Sequence, residues 1–254
     1  MVKTAVIMAA GLGTRFGKMT ETQPKGFIEV GGIPMIRRSI ETLLSCGIER
    51  VIIGTGYKKE CYEALCNEYP QIECVYSPRY AETNSMYTLY NCREAIGDSD
   101  FLLLESDIVF NADAVREVLA DVHENIMLIT PVIKFQDQYY VMHDDVGTLV
   151  ACSTDKNALS AQGELVGIHR ISSSFYRAMC NEYARVVEAK PKLGYEYMLL
   201  EMSRSMIPVY VLNSSIARWY EIDDEQDLKY AEENIIGLFE YHLNLGSYIL
   251  NNTN

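Results

Sequence analysis

An unbroken apolar run, Thr4-Ala5-Val6-Ile7-Met8-Ala9, leads directly into a glycine-rich stretch, Gly11-Leu12-Gly13-Thr14-Arg15-Phe16-Gly17. A run that is apolar at every position suits a strand buried on both faces of a sheet. The glycines that follow let the backbone turn sharply and approach a ligand closely. Two familiar phosphate-binding patterns fail on spacing. The dinucleotide fingerprint GxGxxG needs its third glycine where this chain has Phe16, and only three residues separate Gly13 from Gly17, one short of a Walker A loop. On these residues alone, a tight turn and a functional loop stay equally open.

The rest of the chain repeats the strand-then-helix rhythm. Strands are expected at residues 4–9, 51–54, 72–76, 101–104 and 126–133, and helices at 34–46, 57–69, 84–96 and 112–123. Such alternation predicts an α/β fold with a doubly wound, mixed but mostly parallel sheet. Short strands at 139–143, 148–153 and 165–171 lack intervening helices and predict a small antiparallel excursion. Helices at 175–188 and 195–204 and a strand at 209–213 follow. A C-terminal helix over 224–245 is expected, N-capped by Asp223 or Asp224. Residues 1–245 are read as one domain, and 246–254 as a polar tail or the start of a linker to a further domain.

Composition narrows the partners. The net charge of −13 argues against nucleic acid, whose phosphates need a basic face. Residues 1–38, however, carry six basic side chains against two acidic ones, a net +4 that leaves −17 for the remainder. A basic island in an acidic chain points to one localised anion site. No apolar run approaches the ~20 residues that span a bilayer, and no membrane partner is expected. Seven scattered cysteines without a CxxC pair read as reduced thiols, and the four histidines lack metal-ligand spacing. A cytoplasmic location is the expectation.

Several segments together resemble one family. Ala9-Ala10-Gly11-Leu12-Gly13-Thr14-Arg15 precedes Pro24-Lys25 and then Gly31-Gly32-Ile33-Pro34-Met35-Ile36. Downstream stand Gly56-Tyr57, Tyr80-Ala81-Glu82-Thr83-Asn84-Ser85, Glu105-Ser106-Asp107 and Trp219-Tyr220-Glu221-Ile222-Asp223. Over residues 1 to about 235 this resembles the nucleotidyltransferase superfamily, with its Rossmann-like fold, and best its small-alcohol branch of phosphocholine and 2-aminoethylphosphonate cytidylyltransferases.

The resemblance implies a Mg²⁺-dependent enzyme that transfers CMP from CTP to a small amino-alcohol phosphonate or phosphate and releases pyrophosphate. Lys25, Arg15 and Asp107 would be catalytic. Ala9, Ala10, Gly11, Leu12, Gly13, Thr14, Asn84 and Ser85 would bind the nucleotide. Asp107, Glu221 and Asp223 would hold Mg²⁺, and Lys18 is a further candidate for phosphate charge. Physical logic agrees, since two anionic substrates can meet only where cations offset their repulsion. For the acceptor, Lys134 would hold phosphoryl oxygens, and Tyr139, Tyr195 and Tyr197 would form a thin aromatic cage near Asp137 and Gln138. Glu196 would pair with a primary ammonium, unless it is simply an acid in a helix's first turn. 2-Aminoethylphosphonate is therefore favoured over phosphocholine. A sugar-1-phosphate enzyme and a catalytically silent nucleotide-binding subunit are the rival readings; His169 and Arg170 fit a structural role at least as well as a pocket.

Overall fold

β1 spans Thr4–Ala9, as the apolar run predicts, and all six of its residues are buried. The computed structural model describes residues 2–134 and 138–239, so Asp137, the end of the expected terminal helix and the 246–254 tail lie outside the described residues. Two 3₁₀ turns, Thr14–Thr20 and Lys25–Phe27, carry the glycine loop away from β1. A hairpin follows, β2 (Glu29–Val30) and β3 (Ile33–Pro34), turning through Gly31 and Gly32 with φ of 60° and 75°. Next come α1 (Met35–Ser45), β4 (Arg50–Thr55), α2 (Lys59–Leu65), β5 (Ile72–Tyr76), α3 (Ser85–Asn91), α4 (Arg93–Ile96) and β6 (Phe101–Glu105). After them run β7 (Ile108–Phe110), α5 (Ala112–Ala120), β8 (Ile126–Thr130), β9 (Tyr140–His143), β10 (Leu149–Ser153) and β11 (Gly163–Ile171). α6 (Ser173–Val186), α7 (Tyr195–Ser205), β12 (Tyr210–Asn213), β13 (Trp219–Glu221) and α8 (Glu225–Asn234) complete the order.

β1 lies between β4 and β6, parallel to both, and β5 extends the parallel set beyond β4. β11 runs antiparallel to β6 and forks the sheet, pairing also with β8 and β9, while β10 adds to β9. The expected mixed sheet with an antiparallel excursion is what forms. Alternate side chains of the central strands serve opposite faces. Val6, Ile52 and Leu103 pack in one core with Leu89 of α3, Phe175 of α6 and Leu199 of α7. Ala5, Ile7, Ile53 and Leu104 pack in another with Ile40 of α1 and Val115 of α5. A third cluster joins Phe16 to Val109, Tyr220, Ala231 and Ile236. The phenylalanine that breaks the dinucleotide fingerprint is thus a buried anchor, tying the glycine loop to the C-terminal helix.

Several boundaries differ from expectation, each for a local reason. The helix expected over 57–69 begins at Lys59, because Lys58 takes a left-handed φ of 52°. The helix over 84–96 splits at Cys92 into α3 and α4. β8 ends at Thr130, since Pro131 has no N–H for the ladder. α5 stops at Ala120, where Asp121 turns extended and accepts the His123 N–H at 2.9 Å. The antiparallel ribbon of β7 and β13 and the β2–β3 hairpin were not expected. Of the two candidate caps, Asp224 is the one used: its carboxylate accepts the N–H groups of Gln226 and Asp227 at 2.8 and 2.9 Å. Asp223 is left for another purpose. All seven cysteines are free thiols.

Candidate active site

The loop after β1, the end of β6, the start of α3, the start of α7 and the residues around β13 enclose a cleft of about 530 Å³. It opens at the carboxyl ends of the parallel strands, where open α/β sheets place ligands. Ala9, Ala10, Gly11, Leu12, Gly13, Thr14 and Arg15 form one wall, and Asn84 and Ser85 another. Lys25, Asp107, Tyr139, Tyr195, Glu196, Glu221 and Asp223 also line it. Lys134 stands behind the wall, with its ammonium 3.3 Å from Asp223, and Lys18 is exposed and outside the lining.

The wall is shaped by what glycine omits. A Cβ on Gly56 would lie 2.6 Å from the Ala10 carbonyl and 2.6 Å from the Tyr80 ring. Gly13 adopts a φ of 62° and abuts Lys25, while the Thr20 hydroxyl donates to the Gly13 carbonyl at 3.0 Å. Tyr57 then donates its hydroxyl to the Thr20 carbonyl at 2.9 Å, bracing the loop from outside. Asn84 caps α3, accepting the Ser85 N–H at 2.8 Å.

Charge is concentrated at the cleft's centre. Lys25 Nζ lies 2.6 Å from Asp107 Oδ2 and 2.7 Å from Asp223 Oδ1. Arg15 reaches the same Asp223 oxygen at 2.6 Å, although its side chain is about half exposed. Burial alone would lower the Lys25 pKa, but the two aspartates hold it above its ordinary value. Burial would likewise raise Asp223, yet Lys25, Lys134 and Arg15 keep its carboxyl below the usual range. Asn111, not Asp107, caps α5 by accepting the Ala114 N–H at 3.3 Å, so Asp107 is available to the cleft.

Deeper in, the carboxylates crowd together. Glu105, Asp107 and Glu221 offer oxygens that all lie within 4.8 Å of one another. This oxygen-only donor set is the kind a hard divalent cation takes. Glu105 completes this group, and Asp223, whose oxygens accept from Arg15, Lys25 and Lys134, is not part of it. Burial, then the Asp107 charge, pushes Glu221 up to about 8; Gln138 donates its amide N–H to it. Burial and the same neighbouring carboxylates raise Glu105 well above its ordinary value. The Tyr195 hydroxyl donates to Glu105 at 2.7 Å, and His169 Nε2 lies 3.2 Å behind that hydroxyl. Burial drops His169 to about 3, so its ring is neutral. Arg170 donates to the Asp121 carbonyl at 3.1 Å, and neither His169 nor Arg170 lines the cleft.

Glu196 stands apart. It sits in the first turn of α7, is 6% exposed and lines the cleft; Ser85 hydrogen-bonds its carboxyl, but its Oε2 has no hydrogen-bond partner among the described residues. Burial pushes its carboxyl up to about 7. Gly194 makes room for that oxygen, since a Cβ there would overlap Glu196 Oε2. Tyr139 packs edge-on against Tyr197, ring centres 5.6 Å apart. Trp219 is committed elsewhere, donating its indole N–H to Thr130 at 2.9 Å.

Residues 5–180 match the MobA-like NTP transferase domain. The chain belongs to this family. A 2-aminoethylphosphonate cytidylyltransferase from Lancefieldella rimae is 37% identical over 107 residues, covering 42% of this chain and 44% of that protein. A choline-phosphate cytidylyltransferase from Streptococcus pneumoniae is 41% identical over 95 residues, 37% of this chain and 41% of that one. Each match thus spans less than half the length of the relative. The solved CTP:phosphocholine cytidylyltransferase from Streptococcus pneumoniae superposes with a TM-score of 0.76 at 24% identity, covering 91% of this chain and 99% of that one, a likeness of fold. The expected family and the doubly wound α/β fold are both borne out.

The sequence alone assigned no role to several residues that line this cleft: Glu105, Gln138, Tyr80 and Lys192. Lys192 donates to the Ala81 and Thr83 carbonyls, each at 3.3 Å, and ties the loop before α7 to the wall beside Asn84. Glu105 carried a usable signal, since a carboxylate ending an apolar strand two residues before an aspartate is unusual company. Lys192 and Gln138 sit in irregular segments whose placement no periodicity foretells.

Proposed function

We propose that this protein is a divalent-cation-dependent cytidylyltransferase acting on a small aminoalkyl phosphonate or phosphate, with 2-aminoethylphosphonate as the favoured acceptor. An acceptor phosphoryl oxygen attacks the α-phosphorus of CTP in line. A new P–O bond forms, the bond to the bridging α–β oxygen breaks, and pyrophosphate leaves with that electron pair. No general base is required, because a phosphonate or phosphate group already carries an ionised oxygen at neutral pH, and a phosphate monoester with a second pKa of ~6 is mostly dianionic there. Catalysis is then positioning and charge neutralisation.

Lys25 is the residue to which the reacting α-phosphate charge is assigned, with Arg15 on the β- and γ-phosphates. Backbone from Ala9 to Thr14, with Asn84 and Ser85, cradles the nucleoside. Asp107, Glu221 and Asp223, with Glu105 beside them, would hold Mg²⁺, which when bound supplies further neutralisation of phosphate charge. Lys134, which stands behind the wall on Asp223 and Asp227, would have to leave those partners to hold the acceptor's phosphoryl oxygens.

The observation that carries the choice of acceptor is the unpartnered Oε2 of Glu196 in the cleft. A buried acceptor without a donor is costly, and a primary ammonium brings the N–H groups that it lacks. A quaternary ammonium brings none and depends on aromatic faces. Tyr139 and Tyr195 line the cleft, while Tyr197 packs behind Tyr139 outside the lining; these rings support phosphocholine as the second reading. The test is kcat/KM with CTP for 2-aminoethylphosphonate against phosphocholine, in wild type and Glu196→Gln. A wild-type preference for the primary amine, narrowed about tenfold or more by the substitution, is expected. A clear preference for phosphocholine would refute the assignment and return the tyrosines to a cage.

A further inference from the structure

Among the described residues, Lys192 is the cleft-lining cation that no carboxylate holds. Lys25 and Arg15 stand on aspartates, whereas the Lys192 ammonium donates only to the Ala81 and Thr83 carbonyls, each at 3.3 Å. These bonds are long, and exchanging them for a ligand breaks no ion pair. Gly56 packs against both the Ala10 carbonyl and the Tyr80 ring, which brings the segment that Lys192 touches beside the glycine loop. The lining polar side chains of residues 81–85 are already spent. Thr83 donates its hydroxyl to the Arg79 carbonyl at 2.6 Å. Asn84 accepts the Ser85 N–H through its side-chain oxygen and donates its amide N–H to the Lys192 carbonyl at 3.2 Å. The Ser85 hydroxyl accepts the Tyr195 N–H at 3.0 Å and hydrogen-bonds the Glu196 carboxyl. What this wall keeps for a base is one donor, the Lys192 ammonium, beside two carbonyl acceptors.

We propose that Lys192 is a specificity-determining residue that selects cytosine over uracil in the nucleoside triphosphate. The hydrogen-bonding edge of cytosine carries an amino donor at C4 and an acceptor at N3. Uracil reverses both, with an acceptor at O4 and a donor at N3. A lysine ammonium can only donate and a carbonyl can only accept. Cytosine therefore matches the pair, its amino group on a carbonyl and its N3 on the ammonium. Uracil would set its N3–H against the ammonium and its O4 against the carbonyls, leaving polar groups unpaired on both sides. A lysine here can also serve merely to tie the loop before α7 to the wall, a role that would affect every nucleotide alike. The proposal rests on CTP being the donor nucleotide, as read above.

The experiment is calorimetric binding of CTP and of UTP, each with Mg²⁺, to the acceptor-free protein. Wild type is compared with Lys192→Met, which keeps the apolar stem and loses the donors. Wild type should bind CTP at least about tenfold tighter than UTP, the scale of one charged hydrogen bond made or frustrated. Lys192→Met should bring the two dissociation constants within about threefold of each other, chiefly by weakening CTP. Lys192→Arg, which again only donates, should restore most of the preference. A wild-type protein that binds UTP as well as CTP, or better, removes the reading of CTP as donor and the proposal with it. A wild-type preference for CTP that survives in Lys192→Met overturns the proposal alone. An equal loss of both nucleotides in that variant would reduce Lys192 to a tie between loops and overturn it too.

Discussion

Lys25 meets two aspartates that lie 82 and 198 positions away along the chain, and the reading of the site turns on that meeting. Its ammonium is a mobile point charge, most useful where negative charge shifts during transfer. Lys25→Ala is therefore expected to lower kcat by about a hundredfold while changing KM for CTP far less, in steady-state kinetics at saturating cation. A change confined to KM would make Lys25 a ground-state binding residue. At this scale much was legible in the sequence. Pro24-Lys25 and the Glu221-Ile222-Asp223 triplet carry the resemblance, and the cleft gathers all of them but the proline and the isoleucine. What stayed hidden was the pairing: no spacing says that Asp223 would face three cations, or that Glu105 would stand with Asp107 and Glu221.

The elements hold these side chains by close backbone packing. β4 ends beside β1, and the turn after it brings Gly56 against the Ala10 carbonyl, so that a Cβ at 2.6 Å would force one of them to move. Gly56→Ala should destabilise the fold by about 1–3 kcal/mol and raise KM for CTP, because the displaced carbonyl belongs to the nucleotide wall. Thermal unfolding and initial rates check both parts; unchanged KM would show that the wall absorbs the strain elsewhere. The central strands were legible because burial on both faces leaves a continuous apolar run. The β7–β13 ribbon was not, since three-residue strands joining positions 108–110 to 219–221 give no periodic signal. Element ends erred where one residue's backbone decided them, as at Lys58 before α2 and Pro131 after β8.

The whole molecule concentrates acid in a site that has raised its carboxyl pKa values. Glu164, fully buried, accepts the Lys134 N–H at 3.2 Å, and burial pushes it up to about 7. With Glu196 at about 7 and Glu221 at about 8, these groups take up protons on folding, so their contribution to stability is lost as pH rises through those values. Asp223, lowered, acts at lower pH, and His169, lowered to about 3, adds stability as pH rises towards its ordinary value of 6.5 and only a small further gain above it. Between pH 6.5 and 8 the substrate-free protein in EDTA should lose on the order of a few degrees of Tm, with the slope reduced by a divalent cation. A Tm that rises across this window would contradict the charge arrangement. The acidic balance of the chain was legible from composition, as was the basic island at its start, but only Arg15 and Lys25 of that island line the cleft, and the fold decides which. The central claim is that this cleft moves CMP onto a phosphonate or phosphate oxygen. Phosphorus NMR of CTP with 2-aminoethylphosphonate and Mg²⁺ tests it most directly. The expected result is equal accumulation of pyrophosphate and a mixed CMP–phosphonate anhydride, abolished in EDTA and lowered at least about a hundredfold by Asp107→Asn. No anhydride from CTP with this acceptor, or undiminished transfer in Asp107→Asn, would contradict the account.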